Sequence, residues 1–550
     1  RCRLSFSDDP MQFIKISGPF YSYILAATGL VLLFTGGHFT YGLDDTYIHL
    51  ALAKHLVQNG VWGVTPYAPS ACSSSIIWPL LLSGCIYLFG LNLMIPFYLS
   101  LVIVTGFALW LNYEISKEME DEPQRTAFTW LILFASCIGT LVFIGMEHVL
   151  QVWMCTWFAW HGAKVLAAPQ PTFKHAWPLF ILGPLMTSAR YEALGLVAAV
   201  CVMLTFRNGI RHMFGRGFVI GCVVCLAALT PVVAFGLAMH RLDLPFLPYS
   251  VQLKAWAPHV AFHGLWLHLG PKFLINSLAH PELFFLLWAC LYTLRNTLRS
   301  GVNFWTVPSV LQVIYVVSSL LHLEFAATGP YSRYVAYLIA MGVLALGLHA
   351  GPLFRVGLQP VPKSENPGRL RRFISVGTCV TLVLMAIVSH LVVPQKARNI
   401  YQQQVQMARF LGTYYDGQAV ALNDIGTSSF LTNIRMVDVF GLASKEVADI
   451  RLHGDYGADD IERIATEQAV QLAIVYPNWF QTAEGSILPA DWEYVGEWKI
   501  PYNIICGSDT VAIFSVNPAA RDQLVENLKA FSSQMPQAVI QSGPYTESKQ

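Results

Sequence analysis

Residues 217–239 read GFVIGCVVCLAALTPVVAFGLAM, without one charged side chain, and residues 18–37 are uncharged as well. About 20 such residues cross the ~30 Å hydrocarbon core of a bilayer as a helix, which satisfies all its backbone groups within the segment. Segments of the same kind lie near 91–113, 127–145, 148–166, 281–296, 304–322, 333–350 and 373–394, with a shorter pair at 176–189 and 193–206. Composition agrees. At 55% hydrophobic and 12% charged, the chain has too little charge to cover a water-soluble protein of its size, where about a quarter is usual. The sequence predicts a polytopic α-helical membrane protein. Its net charge of +1 and lack of a basic run give no electrostatic footprint for nucleic acid.

The placement of Lys and Arg gives direction. With the first residues cytoplasmic and 74–90 lying in the interface, one face collects Lys117, Arg125, Lys164, Lys174, Arg207, Arg211, Arg216, Arg295, Arg299 and the basic residues of 355–372. The other keeps Lys54, Arg190, Arg241, Lys254, Lys272 and Arg333. This is the positive-inside pattern, and counting 74–90 as a span would invert it. About eleven spans result. The first follows Arg1, Arg3 and Lys15 and is expected to stay as an anchor.

On this topology the stretch GLDDTYIHLALAKHLVQNG (42–60) faces outward. Ile48, Leu50, Leu52, Leu56 and Val57 form an approximate helical stripe, with Lys54, His55 and Gln58 elsewhere. The pattern predicts an amphipathic helix lying in the membrane plane. Asp44 and Asp45 fall at its N-terminus, where free N–H groups favour negative charge. Near residue 395 the composition changes. Strand-like AVALND, RMVDVFGL, QLAIVYP, WEYVGEWK and TVAIFSV accompany helix-like DDIERIATEQ and ARDQLVENLKAF. Two parts are predicted: a membrane domain, 1–394, and an extracytoplasmic α/β domain, 395–550, whose last residues, QSGPYTESKQ, are expected to fray. Most cysteines lie in apolar segments and act as small hydrophobes; Cys222 and Cys225 lack the further ligands of a zinc site. Cys72 and Cys506 lie outside the spans, and nothing in the sequence forces them to pair.

Ionisable groups near membrane depth are costly and mark function more often than chance. Two adjacent acids before Tyr47 exceed what a helix cap needs. Glu147 and His148 lie at the outward junction of two spans, and Arg190 and Glu192 at the next. Lys254 occupies a long outward loop; Arg333, flanked by Tyr331 and Tyr334, opens a late span. Acids and bases from five connections thus gather on one face. Carboxylates there suit a general base or a divalent cation, and Lys or Arg a phosphate. The histidines 259, 263 and 268 fit an interfacial, amphipathic segment.

The ordered set of motifs resembles the GT-C superfamily of polyprenyl-phosphate-sugar-dependent glycosyltransferases. The nearest likeness is to bacterial terminal arabinofuranosyltransferases and mannosyltransferase-like membrane proteins. DDTYI followed by GVTPYAPSACSSSIIW is similar to their D-D-x-Y-I and N-P-G-E…S-S-x-L-W stretches, although TPYAP replaces N-P-G-E and its acid. GMEHVL is similar to G-M-E-T-A-L, SARYEALGL to T-R-P-E-G-L, LPFLPYSVQLKA to L-P-N-x-x-x-x-K, and YSRYVAYL to R-Y-L-L-P.

The resemblance implies a GT-C fold with two interfacial helices after the first span, in a bacterial inner membrane, with the C-terminal domain periplasmic. It also implies inverting transfer of a sugar from a polyprenyl-phosphate donor to a glycan, lipid or protein hydroxyl. Asp44 is the expected base, with Asp45 close behind. Lys254, Arg333 and Arg190 are expected on the donor phosphate, and Glu147, His148, Glu192, Tyr47 and Tyr331 on substrate. Asp45 with Glu147 is the expected site for a divalent cation, Mg or Mn; no nucleotide is implied. The competing readings are a transporter or flippase of lipid-linked sugars, and an inactive membrane scaffold.

Overall fold

The structure, a computed structural model, describes residues 10–252, 271–326, 328–329, 332–349 and 369–546. Every apolar segment found in the sequence is helical. In chain order the helices of the first part are α1 (Pro10–Phe34), α2 (Asp45–Asn59), α3 (Ile77–Phe89), α4 (Ile95–Ser116), α5 (Glu122–Ala135), α6 (Ile138–Ile144), α7 (His148–Ala167), α8 (Phe173–Ala189), α9 (Ala193–Phe206) and α10 (Arg216–Arg241). The segment Tyr249–Gln252 makes one short helical turn, after which come α11 (Pro271–Ala279), α12 (Pro281–Arg299), α13 (Val307–Phe325), α14 (Ala336–His349) and α15 (Arg369–Leu391).

Among the described residues, five helical stretches are long and apolar enough to cross a membrane unaided. Two bent pairs, α5 with α6 at 45° and α11 with α12 at 108°, pass the same test jointly, and α3, α9 and α14 are shorter apolar helices. The chain is a multi-pass membrane protein. The α5–α6 bend has a local cause: Cys137, at φ 56°, interrupts the helix in the left-handed region.

The stretch 74–90 forms α3, 13 residues long. At 1.5 Å per residue it is about 20 Å long, short of the hydrocarbon core. Its Leu80, Tyr87, Leu88 and Phe89 are exposed. Helix α2 departs from expectation. Every residue from Thr46 to His55 is buried, so no polar face remains for water. The reason is tertiary: α3 packs on one side of α2, and the helix Gly426–Leu431 of the C-terminal domain packs on the other. Lys54, placed by the sequence on a solvated face, instead donates to the Phe430 carbonyl at 3.1 Å.

The change of composition at 394/395 falls within a helical stretch that runs Arg369–Tyr414. After α15 it comprises α16 (Val393–Ile400), a π-helical turn over Tyr401–Val405, and α17 (Gln406–Tyr414). The C-terminal domain then forms β1 (Ala419–Leu422), α18 (Gly426–Leu431), β2 (Arg435–Asp438), α19 (Lys445–His453), α20 (Ala458–Glu467) and β3 (Leu472–Val475). Next come a small hairpin, β4 (Gln481–Thr482) and β5 (Gly485–Ser486), then β6 (Glu493–Lys499), β7 (Thr510–Ser515), α21 (Arg521–Ser532) and β8 (Ile540–Ser542).

The main sheet has the order β2-β1-β3-β7-β6-β8. β1 is parallel to β2 and β3; the β3–β7, β7–β6 and β6–β8 pairs are antiparallel. Each strand-like run of the sequence is a strand, and the central ones carry a fully buried pattern such as that of Leu472–Val475. The expected fraying of the last residues is wrong up to Thr546. β8 pairs with β6, and Tyr545 is buried with its hydroxyl accepting from Trp498 Nε1 at 3.0 Å. Cys72 and Cys506 are both free thiols.

Candidate active site

Three tight junctions bring the polar residues together. α6 ends at Gly145, at φ 67°, where a Cβ would meet the Tyr41 ring and the Thr46 methyl. The Thr46 hydroxyl donates to the Ile144 carbonyl, and Trp78 Nε1 donates to that of Gly145 at 3.2 Å. These contacts fix the first turn of α2 beside Glu147, which precedes α7. Arg190 and Glu192 occupy the turn between α8 and α9, and Arg333 and Tyr334 the turn that leads into α14, entered through Ser332 at φ 56°.

Arg190 is buried and makes four hydrogen bonds. It donates to Glu147 Oε1 at 3.0 Å, to Ser74 Oγ at 2.7 Å and to both oxygens of Glu192, at 3.1 and 2.5 Å. His49 Nε2 stands 3.8 Å from the other Glu147 oxygen. Burial opposes ionisation of Glu147, and the charges of His49, His148 and Arg190 outweigh it, so its pKa lies below the usual carboxylate range. Against the same burial, Arg190 pushes Glu192 down to about 2. The sequence places Arg190 and Glu192 in one outward turn; the structure buries Arg190, leaves Glu192 half-buried and adds the buried Glu147 to them.

The Tyr334 ring lies between two guanidinium groups, Arg190 at 4.8 Å and Arg333 at 4.6 Å from its centroid. The ring's negative face separates the like charges. Arg333 also donates to Asp45 Oδ2 at 3.3 Å, while its Nε is buried with no hydrogen-bond partner among the described residues. Arg333 therefore keeps donor capacity at Nε.

Arg190, Glu192 and Tyr334 border a cavity of about 490 Å³ between α9, α13 and the Ser250 loop. Its wall is largely apolar. The Tyr191, Ser250 and Ser318 hydroxyls are buried there without partners among the described residues. Buried hydroxyls in native proteins are normally bonded, so these three favour a ligand rich in hydrogen-bonding groups.

The two aspartates have separate environments. Asp45, whose side chain is 26% exposed, stands next to Arg333. Asp44 is buried and bonded by the C-terminal domain: Gly426 N–H donates to Oδ2 at 2.6 Å, Thr427 N–H to Oδ1 at 2.8 Å and the Thr427 hydroxyl to Oδ1 at 2.5 Å. It makes no side-chain cap on its own helix, α2. Asp424 completes this group, and the sequence reading missed it. Burial, the Asp44 charge and a hydrogen bond to Asp44 push the Asp424 carboxyl well above the usual range, and burial raises Asp44 as well. The two carboxyls share a hydrogen bond. Gln404 Nε2 donates to Asp424 Oδ2 at 2.9 Å, and the Tyr476 hydroxyl lies 3.0 Å from the same oxygen. A signal was available: Asp424 follows the carboxyl end of the parallel strand β1, the usual position for sites in such sheets.

His148 is buried, with Nδ1 3.4 Å from Gln151 Oε1 and its ring edge-on to Tyr334. Tyr47 accepts the Tyr41 N–H at 3.3 Å and lines a separate cleft of about 270 Å³ with His38, Tyr401 and Arg409. Lys254, Tyr331 and the three loop histidines lie outside the described residues. Asp45 and Glu147, the pair expected to hold a divalent cation, each face a guanidinium, Asp45 that of Arg333 and Glu147 that of Arg190. Among the described residues no group of three or more His, Cys, Asp or Glu side chains is placed to hold a metal ion.

A family model described as a domain of unknown function, DUF8728, matches residues 398–514, which include Asp424, Gly426 and Thr427. No curated protein sequence matches the chain. The crystal structure of ArnT from Cupriavidus metallidurans bound to undecaprenyl phosphate is 11% identical; the alignment covers 92% of this chain and 99% of that one, with a TM-score of 0.50. The apo oligosaccharyltransferase of Archaeoglobus fulgidus is 10% identical over 91% of this chain and 74% of its own, with a TM-score of 0.45. AglB from the same organism, in complex with an inhibitory peptide and a dolichol-phosphate, is 11% identical over 96% and 76%, with a TM-score of 0.46. The likeness to ArnT establishes a fold. This chain has the GT-C fold that its motifs predict.

Proposed function

We propose that the protein is an inverting glycosyltransferase that moves a sugar from a polyprenyl-phosphate donor to an acceptor hydroxyl on the extracytoplasmic face of the membrane. One observation carries the reading. The cavity beside Arg190 and Tyr334 combines an apolar wall with three hydroxyls that have no partner among the described residues, and Arg333, which pairs with Asp45, lies 4.6 Å from the centre of the Tyr334 ring on its border. An apolar wall suits a lipid chain, hydroxyls suit a sugar, and a guanidinium with unused donors suits the phosphate between them. The GT-C fold shared with ArnT, a protein solved with undecaprenyl phosphate, supports the same donor class.

In this reading Asp45 is the base, because it is the more exposed aspartate. The acceptor hydroxyl gives its proton to Asp45 as its oxygen bonds to the anomeric carbon. The bond from that carbon to the phosphate oxygen breaks, and its electron pair leaves with polyprenyl phosphate. Arg333 neutralises the charge that develops on the departing phosphate. Arg190, engaged by Glu147, Glu192 and Ser74, holds the rim in place and keeps Tyr334 against Arg333.

The test is transfer of radiolabelled sugar from synthetic polyprenyl-phosphate donors by the purified protein in lipid. Transfer that Asp45→Asn abolishes is the expected result. Transfer from a nucleotide sugar alone would reject the donor class, and movement of intact lipid-linked sugar across vesicles without any transfer would favour a flippase.

A further inference from the structure

The C-terminal domain touches the membrane domain at the loop that carries the proposed base. Two backbone N–H groups and one hydroxyl of the Gly426–Thr427 turn converge on the Asp44 carboxylate at 2.5–2.8 Å. The approach is as close as backbone permits. A Cβ on Gly426 would lie 2.2 Å from the Asp44 carbonyl oxygen and 2.6 Å from its Oδ2. Asp424 sits behind the contact, oriented by Gln404 from the π-helical turn and by Tyr476 from the end of β3. Lys54, further along α2, reaches the same segment at the Phe430 carbonyl. The Lys445–Asp243 and Tyr249–Asp449 contacts hold the domain at a second place, on the loop after α10.

We infer that the C-terminal domain is part of the transfer machinery: Asp44 fastens the start of α2 to the Gly426–Thr427 turn, and Thr427 is the positioning residue that sets the direction of Asp45. Asp44 and Asp45 are consecutive, so one peptide unit joins the fastened carboxylate to the reacting one. Hydrogen bonds to a buried carboxylate resist rotation of that unit, and a loose unit would swing Asp45 off the acceptor oxygen. Proximity effects of this kind fall steeply with small displacements. The inference rests on the assignment of Asp45 as base.

Two substitutions at one position separate positioning from bulk. Thr427→Ser keeps the hydroxyl, and Thr427→Val removes it at nearly constant shape. Thr427→Ser is expected to match the wild type, and Thr427→Val to lower kcat about 10-fold with donor KM unchanged, the loss typical of one hydrogen bond to a charged group. Asp424→Asn keeps an N–H donor toward Asp44 and should retain turnover; Asp424→Val should not. Equal kcat in wild type and Thr427→Val, or a loss confined to KM, overturns the inference.

Hydrogen exchange of the full chain in nanodiscs gives a readout that needs neither activity nor variants. Amides 45–47 and 426–428 should open as one unit, and 45–47 exchanging far ahead of 426–428 overturns the fastening. A wild type that transfers no sugar from any polyprenyl-phosphate donor, while these amides open together, would reject the proposed reaction and leave the fastening in place.

Discussion

Arg333 donates to Asp45 at 3.3 Å while its guanidinium lies 4.6 Å from the centre of the Tyr334 ring. One cation thus joins the proposed base to Tyr334, a residue of the cavity wall. Asp45→Asn keeps the side-chain shape and removes the proton acceptor. It should lower kcat about 10²–10⁴-fold, the usual worth of a positioned base, and leave donor KM within a small factor. Asp44→Asn should cost less in turnover and more in stability, read as a lower melting temperature. Full activity in Asp45→Asn would refute the assignment.

Arg333→Lys keeps the charge and loses the planar fork. Its expected cost is about 10–100-fold in kcat/KM for the lipid donor, from one or two charge-assisted hydrogen bonds. A variant equal to the wild type would place the phosphate elsewhere.

Glu147 is buried between Arg190 and His49. Glu147→Ala leaves Arg190 with Glu192 alone and is expected to destabilise the folded protein by about 3–5 kcal/mol. Glu122→Ala, at the half-exposed pair with Lys15, should cost no more than about 1 kcal/mol. Thermal unfolding in detergent compares the two directly.

Asp424 binds its proton more tightly in the folded chain than its ordinary value of 3.8 allows, through burial, the Asp44 charge and the Asp44 hydrogen bond. Its other neighbours are Asp45, which is acidic, and Tyr476 and Cys506, which are neutral below pH 8. The stabilisation is therefore complete below the unfolded value and is lost as pH rises through the raised folded pKa. Raising the pH from about 4 towards neutral should lower the melting temperature of the wild type relative to Asp424→Asn, which has no proton to lose at that position. Parallel pH profiles would refute the shared proton.

Gly426→Ala should separate the two domains at their closest contact, because the added methyl collides with the Asp44 backbone. The expected signature is faster proteolysis between 392 and 418 with the membrane helices intact. Unchanged protection would show that the turn can retreat.

The apolar helices were legible because the bilayer restricts the menu: an uncharged run of about 20 residues has few other fates, although five described helices, or seven with the two bent pairs, are long and apolar enough to cross where about eleven spans were expected. The strands of the C-terminal domain were legible for a similar reason, since Leu472–Val475 and Thr510–Ser515 carry apolar, β-branched patterns. Helix α2 was misread because periodicity reports a helix and not its neighbours, and a second domain covers the face that charge had marked as wet. Asp44 and Asp45 were found together, but their difference arises from a turn at Gly426 that local sequence cannot reveal. Asp424 escaped notice for the same reason. A single acid after a short strand acquires meaning only when another acid is brought to it. Arg190, Glu147 and Glu192 were each marked by their cost at membrane depth, and the structure joins the three in one cluster.

Asp44 and Gly426 lie 382 residues apart. At a synthesis rate of about 5–20 residues per second, roughly 20–80 s pass between the emergence of one and the other. Through that interval the membrane helices are in place and the start of α2 has no turn to fasten it. A chain cut short before residue 426 would insert, resist extraction and still lack an ordered site. On the proposed function, activity would arrive only with the last domain.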